Sequence, residues 1–110
     1  MEFQIEPLIV AFDVDGTLID YNNQPREDII ALYRAFQALG YEMWVWSGGG
    51  ETYAESWCRR LGITADRVFA KDNKLKPHLA IDDAKDADLG LVTTLVVPPP
   101  IPGIWDRKEA

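Results

Sequence analysis

LIVAFDVDGT, residues Leu8 to Thr17, is the stretch whose reading decides the fold. Five apolar residues, β-branched at their centre, run into two aspartates, a glycine and a threonine. A short apolar run of this kind reads as a strand buried on both faces, as in a parallel sheet. Asp13 and Asp15 lie two apart, so on an extended backbone both carboxylates leave on the same side. Carboxylates that close raise one another's pKa unless a cation sits between them. A hard divalent metal at the carboxyl end of the strand is the simplest answer to that repulsion. Gly16 then lets the chain turn sharply away.

Outward from this strand the chain alternates. Met1 to Pro7 read as a lead-in, and Leu18 to Gln24 as a polar, turn-rich link. Pro25 suits the first turn of a helix, with Glu27 and Asp28 near its positive end. Ile29, Leu32, Tyr33, Phe36 and Leu39 give that helix one apolar face, and Gly40 ends it. Tyr41 to Trp46 is a second strand, with Met43 and Val45 on one face and Trp44 and Trp46 on the other. Ser47-Gly48-Gly49-Gly50 leads into a helix over Glu51 to Leu61, with Ala54, Trp57, Cys58 and Leu61 inward and Gly62 as its stop. Arg67 to Lys71 is a third strand. The polar link Asp72 to Pro77 precedes a fourth, His78 to Ile81, which runs into Asp82-Asp83. Ala84 to Leu89 reads as a short helix or turn, and Thr93 to Val97 as a fifth strand stopped by Pro98-Pro99-Pro100.

Strands alternating with helices predict an α/β domain with a parallel, doubly wound sheet. One domain spans residues 1–110, with a core of about 8–97 and a proline-rich tail over 98–110, since the length leaves no room for a second. In such sheets reactive groups gather beyond the carboxyl ends of the strands. Asp13, Asp15, Ser47, Lys71, Asp82 and Asp83 all fall there.

Composition narrows the class of partner. Eleven basic against 18 acidic residues give a net charge of −7, which speaks against broad contact with nucleic acid. No apolar run approaches a membrane span, and MEFQIEP does not read as a signal peptide. Cys58 is the lone cysteine, so no internal disulfide forms and a reducing cytoplasm is the expected setting.

The chemistry follows from residue types. Asp13 reads as a nucleophile and metal ligand, attacking phosphorus to give an acyl phosphate. Asp15 reads as the acid that protonates the leaving oxygen and the base that activates water. A calcium loop of the EF-hand type is the rival, but it needs a preceding helix and a closing glutamate, and Gln24 stands at the twelfth position. Ser47, Gly48 and Gly49 at a helix start form a phosphate cradle, or else a simple turn with Ser47 as N-cap. Asp82 and Asp83 add ligands for magnesium, or else belong to a solvated acidic turn. A cation is also needed against the transferring phosphoryl group. Lys71 suits that role best, with Lys74 intermediate and Lys76 at the wrong edge of the sheet. His78, Cys58 and the tryptophans Trp44, Trp46, Trp57 and Trp105 read as packing residues.

These residues in this order resemble the haloacid dehalogenase-like superfamily of phosphatases. AFDVDGTL stands for the first motif, VWSG for the second, the lysine of VFAK for the third and LAIDD for the fourth. The resemblance covers about residues 8–97. It implies a three-layer Rossmann-like fold with strand order 5-4-1-2-3 and dependence on Mg2+. It also implies Asp13 as nucleophile, Asp15 as acid/base with its backbone carbonyl on the metal, and Ser47 and a lysine on the phosphate. Dehalogenases lack an aspartate at the Asp15 position, so the resemblance is to the phosphatases. Only Leu18 to Pro25 separate the first motif from the first helix, which leaves no room for a cap domain. Closure of the site would fall to a large substrate, a second copy of the chain or a short flap. The expectation is a Mg2+-dependent phosphomonoesterase. The rivals are a regulatory phosphate-binding module acting through a partner, and a phosphorelay receiver, whose aspartate would stand on the third strand where this chain has Lys71.

Overall fold

The computed structural model describes residues 6–72, 74–84 and 88–99. Its elements are β1 (Ile9–Asp13), α1 (Glu27–Ala38), β2 (Glu42–Ser47), α2 (Glu51–Leu61), β3 (Arg67–Ala70), β4 (Leu79–Asp82) and β5 (Thr93–Val96). The strands form one parallel sheet in the order β3-β2-β1-β4-β5. This is the expected α/β class and the expected order, written from the opposite edge. β1 lies at the centre, which explains its uninterrupted apolar run: Val10, Ala11 and Phe12 are fully buried.

The alternation of side chains along β2 sorts two apolar clusters. Met43 and Val45 join Val10, Phe12, Ile29, Ile30, Tyr33, Ala54, Trp57 and Cys58 beneath the helices. Trp44 and Trp46 join Ala11, Ala80 and Leu89 on the other face. Among the described residues both helices therefore cover one face of the sheet, and no helix is described on the other, where the third layer was expected. A right-handed crossover from β3 back to β4 runs over the face opposite the helices, and residues 71–78 are too few to carry a helix there. The short helix or turn expected over Ala84 to Leu89 falls on residues 85–87, outside the described residues. Met1 to Ile5 of the lead-in and the tail from Pro100, with Trp105, also lie outside them.

Several element limits shift for physical reasons. α1 begins at Glu27 with Arg26 as N-cap, so Pro25 is not in its first turn. Pro25 instead bridges to Ile19 in a hairpin. The buried stripe of α1 is Ile29, Ile30 and Tyr33 with Phe36 packed beside it, while Leu32 and Leu39 are exposed. Phe12 anchors the stripe by edge-on contacts to Tyr33 (5.0 Å) and Phe36 (6.2 Å), and burying such a ring stabilises by about 2 kcal/mol. α2 ends as expected, with Gly62 in the left-handed region at φ +68 and Arg59 and Arg60 in its last turn. Among the described residues no helix is long and apolar enough to cross a membrane.

The link after β1 is more ordered than its polarity suggested. Thr17 and Ile19 N–H groups donate to the Val14 carbonyl, and the Asp20 N–H donates to Gln24. Leu18 and Ile19 are fully buried and pin the base of this hairpin flap. The Arg26 guanidinium, also buried, ties the flap to the end of β5 through the Pro98 carbonyl at 2.7 Å, and bonds Asp28 at 2.9 Å.

Candidate active site

Strand register brings the polar groups to one edge. Phe12 pairs with Ile81, so Asp13 and Asp82 follow side by side at the ends of β1 and β4. Asp13 pairs with Trp46, so Ser47 comes one residue beyond it on β2. Ala70 pairs with Ser47, and the next residue, Lys71, donates its N–H to the Ser47 carbonyl at 2.8 Å.

The Lys71 ammonium bonds Asp13 Oδ1 at 2.7 Å and Asp82 Oδ2 at 2.6 Å. Asp83 completes a cluster in which one oxygen from each of Asp13, Asp82 and Asp83 lies within 4.8 Å of the others. Asp82 is fully buried and Asp13 nearly so. The remaining lone pairs are partly engaged: Thr17 Oγ1 lies 3.4 Å from Asp13 Oδ2, and the Ala84 N–H donates to Asp82 Oδ1 at 2.9 Å. Three carboxylate oxygens at this spacing could hold a hard divalent cation.

Asp15 goes elsewhere. β1 ends at Asp13 and the chain turns at Gly16, where φ is +80. The two-residue alternation therefore stops before Asp15, whose carboxylate is not part of the three-aspartate cluster and accepts a hydrogen bond from Tyr53 at 2.7 Å. That bond, with some burial, raises the Tyr53 pKa and keeps its hydroxyl a donor.

Ser47 is buried, and its Oγ accepts the Gly49 N–H at 3.0 Å. Gly48 and Gly49 are exposed at the start of α2, but the Gly49 and Gly50 N–H groups are already used by Ser47. Lys74 is exposed, and its backbone N–H closes a turn on Asp72. Lys76 Nζ bonds the Asp88 carbonyl at 3.1 Å. Among the described residues Lys71 is thus the lysine bonded to the acidic cluster. Cys58 and His78 serve the frame. Burial pushes the Cys58 thiol up to about 11, and His78 Nδ1 accepts the Ile9 N–H at 2.9 Å.

Sequence reasoning missed Tyr53, Tyr21 and Arg26. The Tyr21 hydroxyl donates to Asp83 from the flap tip. A cleft of about 360 Å³ opens beside it, lined by Gly16, Asp83 and the apolar Val96, Val97 and Pro98. A tyrosine among turn formers and an arginine at a helix start were the available signals, but their partners lie 62 and 72 residues away.

Electrostatics make Asp13 the unusual group. Burial, then the Asp82 charge, push its carboxyl from 3.8 to about 7, against the pull of Lys71. Burial lowers the Lys71 pKa, but hydrogen bonds and charges from Asp13 and Asp82 outweigh it and leave it raised. In cation-free protein the unfolded chain releases the Asp13 proton near 3.8, while the fold retains it to about 7. Stability linked to Asp13 is therefore full below that window, falls as pH rises through it and levels off above. Urea unfolding with a chelator present should show this decline between about pH 4 and 7, and Asp13→Asn should flatten it. A slope that the variant leaves unchanged would assign the effect to other groups.

Gly16 is required twice over. Its φ of +80 disfavours a side chain, and a Cβ there would clash with the Asp83 carboxylate. Gly16→Ala should lower stability by about 2 kcal/mol or more in urea unfolding. An unchanged midpoint would contradict this close approach.

No family model, no curated protein and no solved structure matches this chain.

Proposed function

We propose that the chain is a Mg2+-dependent phosphomonoesterase of the haloacid dehalogenase-like type, working through an aspartyl phosphate. The observation that carries this reading is the Asp13–Lys71–Asp82 bridge with Asp83 beside it, at the carboxyl edge of a central parallel strand. A purely structural ion pair has no need of a third carboxylate, nor of a second aspartate held apart by Tyr53.

In this reading an Asp13 oxygen attacks phosphorus, the ester P–O bond breaks, and Asp15 delivers a proton to the departing alcohol oxygen. Asp15 then takes a proton from water, the water oxygen attacks phosphorus, and the Asp13–phosphorus bond breaks to release inorganic phosphate. Lys71 holds Asp13 in place and offsets its charge against the incoming phosphoryl oxygens. Because Ser47 Oγ accepts from Gly49, its hydroxyl proton remains to donate to phosphate, with the exposed Gly48 N–H beside it. Lys74 is exposed and, among the described residues, its side chain makes no bond to the cluster, so the work falls to Lys71. Asp13, Asp82 and Asp83 would hold the divalent cation, which when bound would supply charge neutralisation for the phosphoryl group.

The substrate is a phosphorylated molecule, and the net charge of −7 disfavours nucleic acid. The lone buried Cys58 suits the reducing cytoplasm. The flap supports closure from within the chain, and a second copy is the other candidate roof. Hydrolysis of an aryl phosphate, with Mg2+ and with chelator, tests the reading. Turnover that needs Mg2+ supports it. No turnover on any phosphomonoester, with phosphate still bound, would favour a phosphate-binding regulatory module.

A further inference from the structure

The three carboxylates of the cluster are not held alike. Asp13 and Asp82 are bridged by Lys71, and each has a further donor, Thr17 and Ala84 respectively. Asp83 is only half-buried, and the partner that holds its carboxylate among the described residues is the Tyr21 hydroxyl. Tyr21 itself is 74% exposed, so core packing does not keep its ring in place.

The flap is built to present that hydroxyl. The Asp20 carboxylate accepts the N–H groups of Asn22 at 2.8 Å and Gln24 at 2.9 Å, which closes the turn around Tyr21. Asn23 takes up the left-handed backbone at φ +61 that the tip needs. Beneath it, Gly16 leaves the room, because a Cβ there would clash with both Tyr21 Oη and the Asp83 carboxylate. A glycine in the aspartate motif, a tyrosine in the flap and the third carboxylate thus meet at one point.

We propose that Tyr21 is a positioning residue for Asp83: through its hydroxyl, the flap sets the third carboxylate of the cluster in place and so links flap geometry to cation affinity. The inference rests on the magnesium reading above and extends it to a residue outside the acidic cluster. A carboxylate already aligned loses less rotamer freedom when a cation binds. Groups hydrogen-bonded to ligating carboxylates tune metal affinity for the same reason. The phenol ring stays largely in solvent, so its contribution runs through the hydroxyl and not through packing.

The test is Mg2+ titration calorimetry on the full chain, comparing wild type, Tyr21→Phe, Asp83→Asn and the double variant, with cation-free thermal unfolding measured beside it. Tyr21→Phe should weaken Mg2+ binding about tenfold while leaving cation-free unfolding unchanged. The same substitution should have little further effect once Asp83 is replaced, because the two act as one unit. If wild type binds Mg2+ and Tyr21→Phe binds it equally, the inference fails and the magnesium reading stands. An equal loss in the Asp83→Asn background overturns it in the same way. If wild type shows no saturable Mg2+ binding, the magnesium reading fails and takes this inference with it.

Discussion

Asp13→Asn should reduce Mg2+-dependent hydrolysis of an aryl phosphate by at least about 10³-fold, as removal of a covalent nucleophile does elsewhere. The amide keeps the shape of the side chain but is a poor nucleophile, and it cannot offer Lys71 a charged partner. Structure should survive, because Asp82 still bonds Lys71. The raised carboxyl also makes a neutral residue tolerable at this depth. A steady-state assay on folded protein checks the loss. Activity near wild type would mean that Asp13 is only a structural partner of Lys71.

The second large effect belongs to Lys71. Its ammonium is the described cation between Asp13 and Asp82, whose side chains are 7% and 1% exposed. Lys71→Met keeps much of the length and apolar stem but leaves two buried carboxylates facing one another. Removing one member of a buried charged group costs about 3–5 kcal/mol, so cation-free Lys71→Met should lose about that much in urea unfolding. Mg2+ should recover more stability in this variant than in wild type, because binding to the folded state stabilises by mass action. A variant as stable as wild type without Mg2+ would contradict the bridging role. Equal Mg2+ stabilisation of both proteins would contradict the shared use of those carboxylates.

Much of this was legible in the sequence for local reasons. Val10, Ala11 and Phe12 announce a strand buried on both faces because a central parallel strand admits no polar residue, whereas Leu8 lies before β1 and is exposed. Ser47, Lys71 and Asp82-Asp83 were legible because each stands at the end of a short apolar run, and parallel order stacks those ends together. Asp15 shows where local reading stops. The rule that places residues two apart on one side holds only on extended backbone, and the strand ends at Asp13. The flap was hidden for another reason. Residues 18–25 are turn formers by composition, and what organises them is the burial of Leu18 and Ile19 and the reach of Arg26 to Pro98. Choosing among three lysines likewise needed the third dimension, since only register sets Lys71 beside Asp13, 58 residues away. The expected third layer followed from fold class, to which the 71–78 connection is too short to contribute a helix.

The central claim is that Asp13 becomes phosphorylated. Borohydride reduces an acyl phosphate to an alcohol, so quenching the reacting protein with it and sequencing by mass spectrometry reads the claim directly. With an aryl phosphate and Mg2+ present, homoserine should replace aspartate at position 13, and it should be absent from chelated controls. Turnover that proceeds while residue 13 stays unmodified under every quench would contradict the account.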